Sequence, residues 1–563
     1  MLNSLATLIC LNSSAPIRSR ATEEGNFQVP LWSVPLVLVV LYVCLFSGLG
    51  ALGLTGPDEP RYAAIARAMA ETHDWVTPRL WGTPWFEKPV LYYWVAGIAM
   101  RIFGVSEFAA RLPSALAALL AVLAVAWTAL RSYGVAATWY ALLMLPTSVA
   151  MIGFSRAASP DMLFAGLLTA AMAVAIEMLQ QQWPGPLLRI VFGFFLGAAV
   201  LAKGPAAIIL AGGAALLWAA LSRQWRAPFR FLHPLIIVVF CATVLPWYAL
   251  CAMRNPDFLR VFIWQHNFER YLTPVFEHRQ PLWFFAPIFL AGILPWLPLL
   301  LTALVDANRK KHFSTKMDSP AIFIACWSLF TLLFFSLSQS KLPGYILPAF
   351  PPAILLFAAH LARHVGQKTR MAYLAVASIG IVFPLLLGIG RAKLHVPYAP
   401  GIGPYPNLDR GIQWAFLTAL VGGGLIVALA LYRKWNGAIS TAACTTVILI
   451  LIANRMVMPA LDGFISARSA ATGLIKSFSA KPDDVAVFHL PRAYKYGLNY
   501  YFGTDLPEWT PKNTGRYLFF SNNSLNELYR FPELFNARTS TFFPVTSDGK
   551  IYLRLGRGER NLE

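Results

Sequence analysis

The stretch "VLYYWVAGIAMRIF", residues 90–103, decides how the chain is threaded. It is apolar enough for a membrane, yet at 1.5 Å per residue it rises only about 21 Å, short of a hydrocarbon core of about 30 Å. That length suits an amphipathic helix lying in the interface. Longer apolar runs stand near 31–53, 110–130, 135–155, 162–181, 187–202, 205–222, 232–252, 282–305, 320–338, 344–363, 372–390, 412–432 and 438–458. They predict about thirteen spans. With the N-terminus inside, the cytoplasmic connections carry Arg131, then Arg189, then Arg223, Arg226 and Arg230, then "NRKKHFSTK" at 308–316. Arg363, Lys368 and Arg370 follow, and finally Arg433 and Lys434. Lys and Arg gather in cytoplasmic loops. Counting 90–103 as a span would turn all of those loops outward, so it is read as interfacial.

Composition agrees with a polytopic membrane protein. Of 563 residues, 57% are hydrophobic and 13% charged, and the mean hydropathy is +0.56, outside the range of ordinary soluble domains. The net charge of +20 raises nucleic acid as a partner, but in a membrane protein it is explained by inner loops and anionic headgroups, and no nucleic acid is expected. The six Cys, at 10, 44, 241, 251, 326 and 444, show no CxxC or metal-ligand spacing. Residues 1–30 are polar and the run that follows is too long for a signal peptide, so a cytoplasmic segment and a retained first span are expected.

This threading sends one set of polar residues to a single outward face. Asp58 and Glu59 in "TGPDEPRYA" (55–63) and Glu87 and Lys88 in "FEKP" follow the first span. Asp161 follows the third, Lys203 the fifth, His266 and Arg270 the seventh, and Lys341 the ninth. The tail from about 460 lies there too and reads as a small soluble α/β domain, with strands at "DDVAVFHL" (483–490) and "KIYLRLG" (550–556) and a helix at "NSLNELYRF" (523–531). The predicted organisation is 1–30 cytoplasmic, 31–459 transmembrane with an outward loop of juxtamembrane helices at 54–109, and 460–563 soluble.

Each group also has a plain structural reading. Asp58 and Glu59 precede a proline and could cap a helix starting near 60. Glu87 and Lys88 could be an interfacial pair, Lys341 a snorkelling anchor, and His266 an ordinary loop histidine. Taken singly these readings are the better ones. They explain Asp161 and Lys203 less well, because ionisable groups that interrupt apolar runs are costly. Acids, several cations and an apolar enclosure on one face suit a lipid-linked phosphate donor. Its tail needs a greasy groove, and its leaving phosphate needs cations. A transporter is the competing class, but transporters usually show paired repeats and broken midplane helices, which this sequence lacks.

The segments "PDEPRYAAIARAM", "HDWVTPRLWGTPWFEKPVLYYW" and "SQSKLPGYILPAFPP" resemble the lipid A 4-amino-4-deoxy-L-arabinose transferases. These are polyprenyl-phosphate-sugar-dependent GT-C glycosyltransferases related to protein O-mannosyltransferases. The likeness covers roughly residues 50–360, and "KLPGYILP" points most narrowly to the aminoarabinose branch. It implies an all-α GT-C membrane fold with periplasmic juxtamembrane helices and a periplasmic C-terminal domain. By the same resemblance Asp58 matches the essential first-loop acid, Glu87 and Lys88 the "FEKP" pair, and Asp161 the acid of the second outward loop.

The implied reaction moves aminoarabinose from undecaprenyl phosphate to lipid A, inverting the anomeric centre, in the bacterial inner membrane. Asp58, Lys88 and Asp161 are the expected catalytic residues. Lys88, Lys203 and Lys341, with Arg61 and Arg270 behind them, are expected at the donor phosphate, and Asp58, Glu59 and Tyr345 at the sugar or acceptor. Glu87 and His266 could hold zinc or another divalent ion, although two ligands from distant loops fit a metal-free site equally well. A monomer is expected. Protein O-mannosyl transfer is the alternative enzyme reading, and there Asp58 would have to activate a hydroxyl.

Overall fold

The computed structural model describes residues 32–272, 280–309, 319–366, 370–393, 406–510, 516–530, 541–544 and 551–555. The segment expected at 1–30, most of the basic loop 308–316, Lys368 and the ends of the expected elements at 531, 550 and 556 lie outside them.

Among the described residues nine helices are long and apolar enough to cross a membrane, or ten if the bent pair Leu282–Gly292 and Leu297–Val305 is one span. The expected figure of about thirteen is therefore not what length and composition return, and each difference has a local cause. The expected spans 110–130 and 135–155 are two helices within Glu107–Met144, divided at Gly134, whose φ 86° and ψ −172° cost glycine little, so two expected spans count there as one. Ser33–Phe46 and Ala206–Ser222 are apolar but short. The last apolar helix runs to Ile465, past the boundary expected at 459.

The disputed stretch forms the helix Leu91–Phe103, too short by length to count as a span, and the contacts around it fit a helix that stays on one face. With the helices before and after Gly134 each crossing, a further crossing at 91–103 would put residue 59 and residue 158 on opposite sides. Instead the Ala158 N–H donates to Glu59 Oε1 at 2.6 Å. Opposite ends of the helices agree. Arg131 Nη2 meets Glu177 Oε1 at 2.6 Å, and Arg230 Nη1 donates to the Gln181 carbonyl at 3.0 Å, so the basic connections share one side.

Beyond the spans lies a four-stranded sheet ordered Val485–Phe488, Tyr517–Ser521, Ile551–Leu555, Thr541–Pro544, whose first pair is parallel and the others antiparallel. Alternation along the strands fills two cores. Val485, Val487, Tyr517 and Phe519 pack with Ala471, Leu474 and Leu498 on one face. Ala486, Leu518 and Phe520 pack with Trp509 and Leu528 on the other. The strands expected at 483–490 and 550–556 are present, whereas the helix expected at 523–531 shrinks to Leu525–Leu528 after a 3-10 turn at Asn522–Ser524. Its Asn and Ser side chains compete with helical backbone bonding.

Candidate active site

The "PDEPRYAAIARAM" segment forms the helix Asp58–Thr72, and Pro57, not an acid, occupies its N-cap position. The capping role considered for Asp58 is thus not taken up. Its carboxylate Oδ1 accepts from Arg61 Nη2 at 2.5 Å, and its side chain is 51% exposed. Arg61 is buried. Its Nη1 pairs with Glu87 Oε2 at 2.9 Å, and its guanidinium lies 5.1 Å from the Tyr62 ring centroid and 5.5 Å from that of Trp85. Burial by itself disfavours this charge, but Tyr62, Glu87 and Asp58 outweigh it and raise the Arg61 pKa. Arg61, expected at the donor phosphate, therefore has its charge committed to two acids. Lys88 Nζ lies 3.8 Å from Glu87 Oε1.

A second pair stands at the start of Pro160–Gln180. Ser159 caps that helix, its Oγ accepting from the Asp161 N–H at 3.3 Å. Lys203, the last residue of Pro186–Lys203, donates from Nζ to Asp161 Oδ1 at 2.5 Å. The same ammonium lies 4.8 Å from the Tyr345 ring centroid and 5.4 Å from that of Phe164. A cation at a helix C-terminus and an acid at an N-terminus are each favoured by the helix dipole. The glycine of "KLPGYILP" has a steric reason, since a Cβ on Gly344 would meet Asp161 Oδ2 at 2.7 Å. The Lys88 charge also reaches Asp161, so the two pairs form one electrostatic unit.

Lys341 Nζ donates to the carbonyls of Ser338 and Gln280 at 2.5 and 3.0 Å, and burial pulls its pKa below the usual lysine range. His266 and Glu87 line one cavity of about 440 Å³ together with Trp85, Phe86, Arg254 and Asp257. They supply two metal ligands, and among the described residues no group of three or more His, Cys, Asp or Glu side chains is arranged to hold an ion. Catalytic zinc usually takes three protein ligands, so the pair falls short of a complete set. The side chain of Arg270 lies outside the described residues.

Glu59 corrects the sequence reading. Expected to orient sugar or acceptor, it is buried and already receives five donors. Arg111 contributes Nε at 3.0 Å and Nη2 at 2.8 Å, Thr55 its N–H and hydroxyl at 2.8 and 3.0 Å, and Ala158 its N–H. Burial alone would raise its pKa, but the Arg111 charge and these hydrogen bonds hold it below the usual carboxylate range. Glu59 fastens the outward loop to the spans.

Sequence reasoning missed its partner. Arg111 also donates to the carbonyls of Leu49, Leu52 and Gly53. Arg156 likewise ties Val43 and Ser47. The available signal was a charged side chain beside an apolar run, the one that drew attention to Asp161 and Lys203.

A family model described as dolichyl-phosphate-mannose-protein mannosyltransferase matches residues 31–262. The undecaprenyl phosphate-alpha-4-amino-4-deoxy-L-arabinose arabinosyl transferase of Edwardsiella ictaluri is 30% identical over 505 residues, covering 83% of this chain and 88% of its own. A second such transferase, from Sodalis glossinidius, is 30% identical over 499 residues, with 83% and 86% covered. Among solved structures, ArnT from Cupriavidus metallidurans bound to undecaprenyl phosphate shares the fold, with a TM-score of 0.75 at 24% identity over 93% of this chain and 97% of that one.

The polytopic helical fold and the 30%-identical relatives that cover most of the chain together define a membrane glycosyltransferase that uses a lipid-linked sugar. The chain belongs to the undecaprenyl phosphate-aminoarabinose arabinosyltransferase family.

Proposed function

We propose that the protein transfers 4-amino-4-deoxy-L-arabinose from undecaprenyl phosphate to a phosphate of lipid A, at the periplasmic face of the bacterial inner membrane. The carrying observation is the joined cluster of Asp58, Arg61, Glu87 and Lys88 with Asp161, Lys203 and Tyr345. We assign catalysis to residues 31–459, with the residues from 460 as an accessory domain on the same face, in a protein acting as a monomer.

An acceptor phosphate oxygen attacks the anomeric carbon in line as the bond to the donor phosphate oxygen breaks, with inversion. The acceptor is already ionised at neutral pH, so no general base is needed. Charge builds on the departing undecaprenyl phosphate, where Lys88, Lys203 and Lys341 are the cations to receive it, with Arg270 as a further candidate. Lys203 and Lys88 already stand charged beside Asp161 and Glu87, so these cations are in place before the donor's anionic phosphate enters. We assign the sugar's amine to Asp58, which is half exposed and hydrogen bonded to Arg61, and the sugar ring to Tyr345, which lies beside Lys203. Metal analysis of the protein beside His266→Ala tests whether Glu87 and His266 hold zinc.

Purified protein, undecaprenyl-phosphate-linked aminoarabinose and lipid A, with product mass as readout, test the reading. The aminoarabinosyl mass is expected in lipid A and absent with Asp58→Ala or Lys88→Ala. The match of residues 31–262 to the mannosyltransferase model favours one second reading, and labelling of protein by a mannosyl donor with lipid A unmodified would establish it. In cells, a cationic sugar on lipid A lowers outer-surface negative charge and weakens the attraction of cationic peptides. A strain lacking the enzyme is therefore expected to become more sensitive to polymyxin.

A further inference from the structure

One helix of the C-terminal region, Arg492–Phe502, touches both arms of the catalytic loop. The first arm is the hairpin pairing Arg79 with Pro84 and Leu80 with Thr83, which runs directly into Glu87 and Lys88. Its two turn residues, Trp81 at φ 47° and Gly82 at φ 86°, are both left-handed, the pattern of a tight type I′ hairpin turn. Glycine adopts this freely, but a bulky aromatic residue does so only when its surroundings hold it there. Trp81 packs against the main hydrophobic core and, edge-on, against Tyr496 with ring centroids 5.0 Å apart. The Arg492 guanidinium lies 5.1 Å from the Tyr496 centroid on the same helix.

The second arm surrounds Asp58. Tyr501 donates its hydroxyl to Glu107 Oε1 at 2.8 Å and accepts from the Leu54 N–H at 3.1 Å. Arg67, on the helix that begins at Asp58, donates to the Tyr500 carbonyl at 3.2 Å. Neither Tyr496 nor Tyr501 belongs to the ion-pair cluster, so each acts through Trp81, Leu54 or Glu107.

We infer that the helix Arg492–Phe502 is a positioning element of the transfer site, with Tyr496 and Tyr501 as positioning residues that set Glu87–Lys88 and Asp58 in register. The inference rests on the proposed transferase reading for its catalytic consequence. It gives the C-terminal region a part in the chemistry, because a displacement of about 1 Å in a catalytic group can cost on the order of a hundredfold in rate.

The test compares Tyr496→Ala, Tyr496→Phe and Tyr501→Phe with the unaltered full chain in detergent, using two readouts. The first, backbone hydrogen exchange, needs no substrate. Exchange is expected to quicken at 79–88 in Tyr496→Ala and at 54–60 in Tyr501→Phe, while Pro160–Gln180 stays unchanged. In the second, transfer kinetics, kcat is expected to fall by about 10- to 100-fold in Tyr496→Ala with the unfolding midpoint retained, and Tyr496→Phe, which keeps the ring, to restore it. Unchanged exchange in Tyr496→Ala overturns the inference whatever transfer does. Quickened exchange with unchanged kcat overturns it too, as does a loss shared by Tyr496→Phe that tracks a lowered midpoint, since each reduces the contact to plain stability. Absence of transfer in the unaltered protein would instead sink the proposed reaction, and the exchange readout would still decide whether this helix holds the loop.

Discussion

Glu59→Ala separates a structural acid from a substrate-binding one. The native carboxylate and Arg111 are both buried, with side-chain exposures of 10% and 4%. Removing one partner of a buried ion pair typically costs about 3–5 kcal/mol, because the other charge is left uncompensated. Here the low end applies, since Arg111 keeps three carbonyl acceptors at 2.6–2.8 Å. The Thr55 and Ala158 N–H groups also lose their acceptor, which keeps the cost from falling further. A loss of about 3 kcal/mol lowers the folded-to-unfolded ratio by on the order of a hundredfold. Detergent-denaturant titration in mixed micelles reads this as a lowered midpoint, and transfer activity per folded molecule is measured beside it. A Glu59→Ala protein with the native midpoint but no transfer would refute the reasoning and return Glu59 to the substrate site.

Other outcomes follow from the same geometry. Asp58→Asn keeps an acceptor for Arg61 and is expected to retain lipid A transfer within about tenfold, whereas loss of a general base would cost about 10²–10⁴-fold; a loss of that size, with the low-pH limb of the rate profile gone, would show that Asp58 abstracts a proton. Gly344→Ala pushes a methyl group against Asp161 Oδ2 and the Phe154 ring, an overpacking of about 1–3 kcal/mol; a fall in kcat with expression preserved is expected, and native kinetics would show that the Asp161–Lys203 pair tolerates displacement. Because Glu59 has its pKa depressed in the folded state, its contribution is fully present above the ordinary carboxylate value and is lost as pH falls through the lower, folded-state value. Stability should therefore decline below about pH 4.5, and a Glu59→Gln protein whose midpoint falls just as steeply with acid would contradict this.

The sequence by itself determined the membrane class and drew attention to Asp58, Glu87, Lys88, Asp161 and Lys203. Apolar runs long enough for a bilayer and basic loops at alternate ends are local or periodic features, and the short stretch at 90–103 is a helix of only 13 residues. Asp161 and Lys203 stood out because charge among apolar residues is expensive wherever the chain folds. The strands at 485–488 and 551–555 were also legible, since β-branched and aromatic runs carry a local signal. Only the tertiary structure decided which acid does what. Asp58 and Glu59 are adjacent and chemically alike, yet one faces solvent beside Arg61 and the other is buried under Arg111, a partner 52 residues away. The placement of Trp81 against Tyr496, more distant still along the chain, was likewise invisible. Pairings at such separations follow from the packing of whole helices, and no local pattern of residue types encodes them.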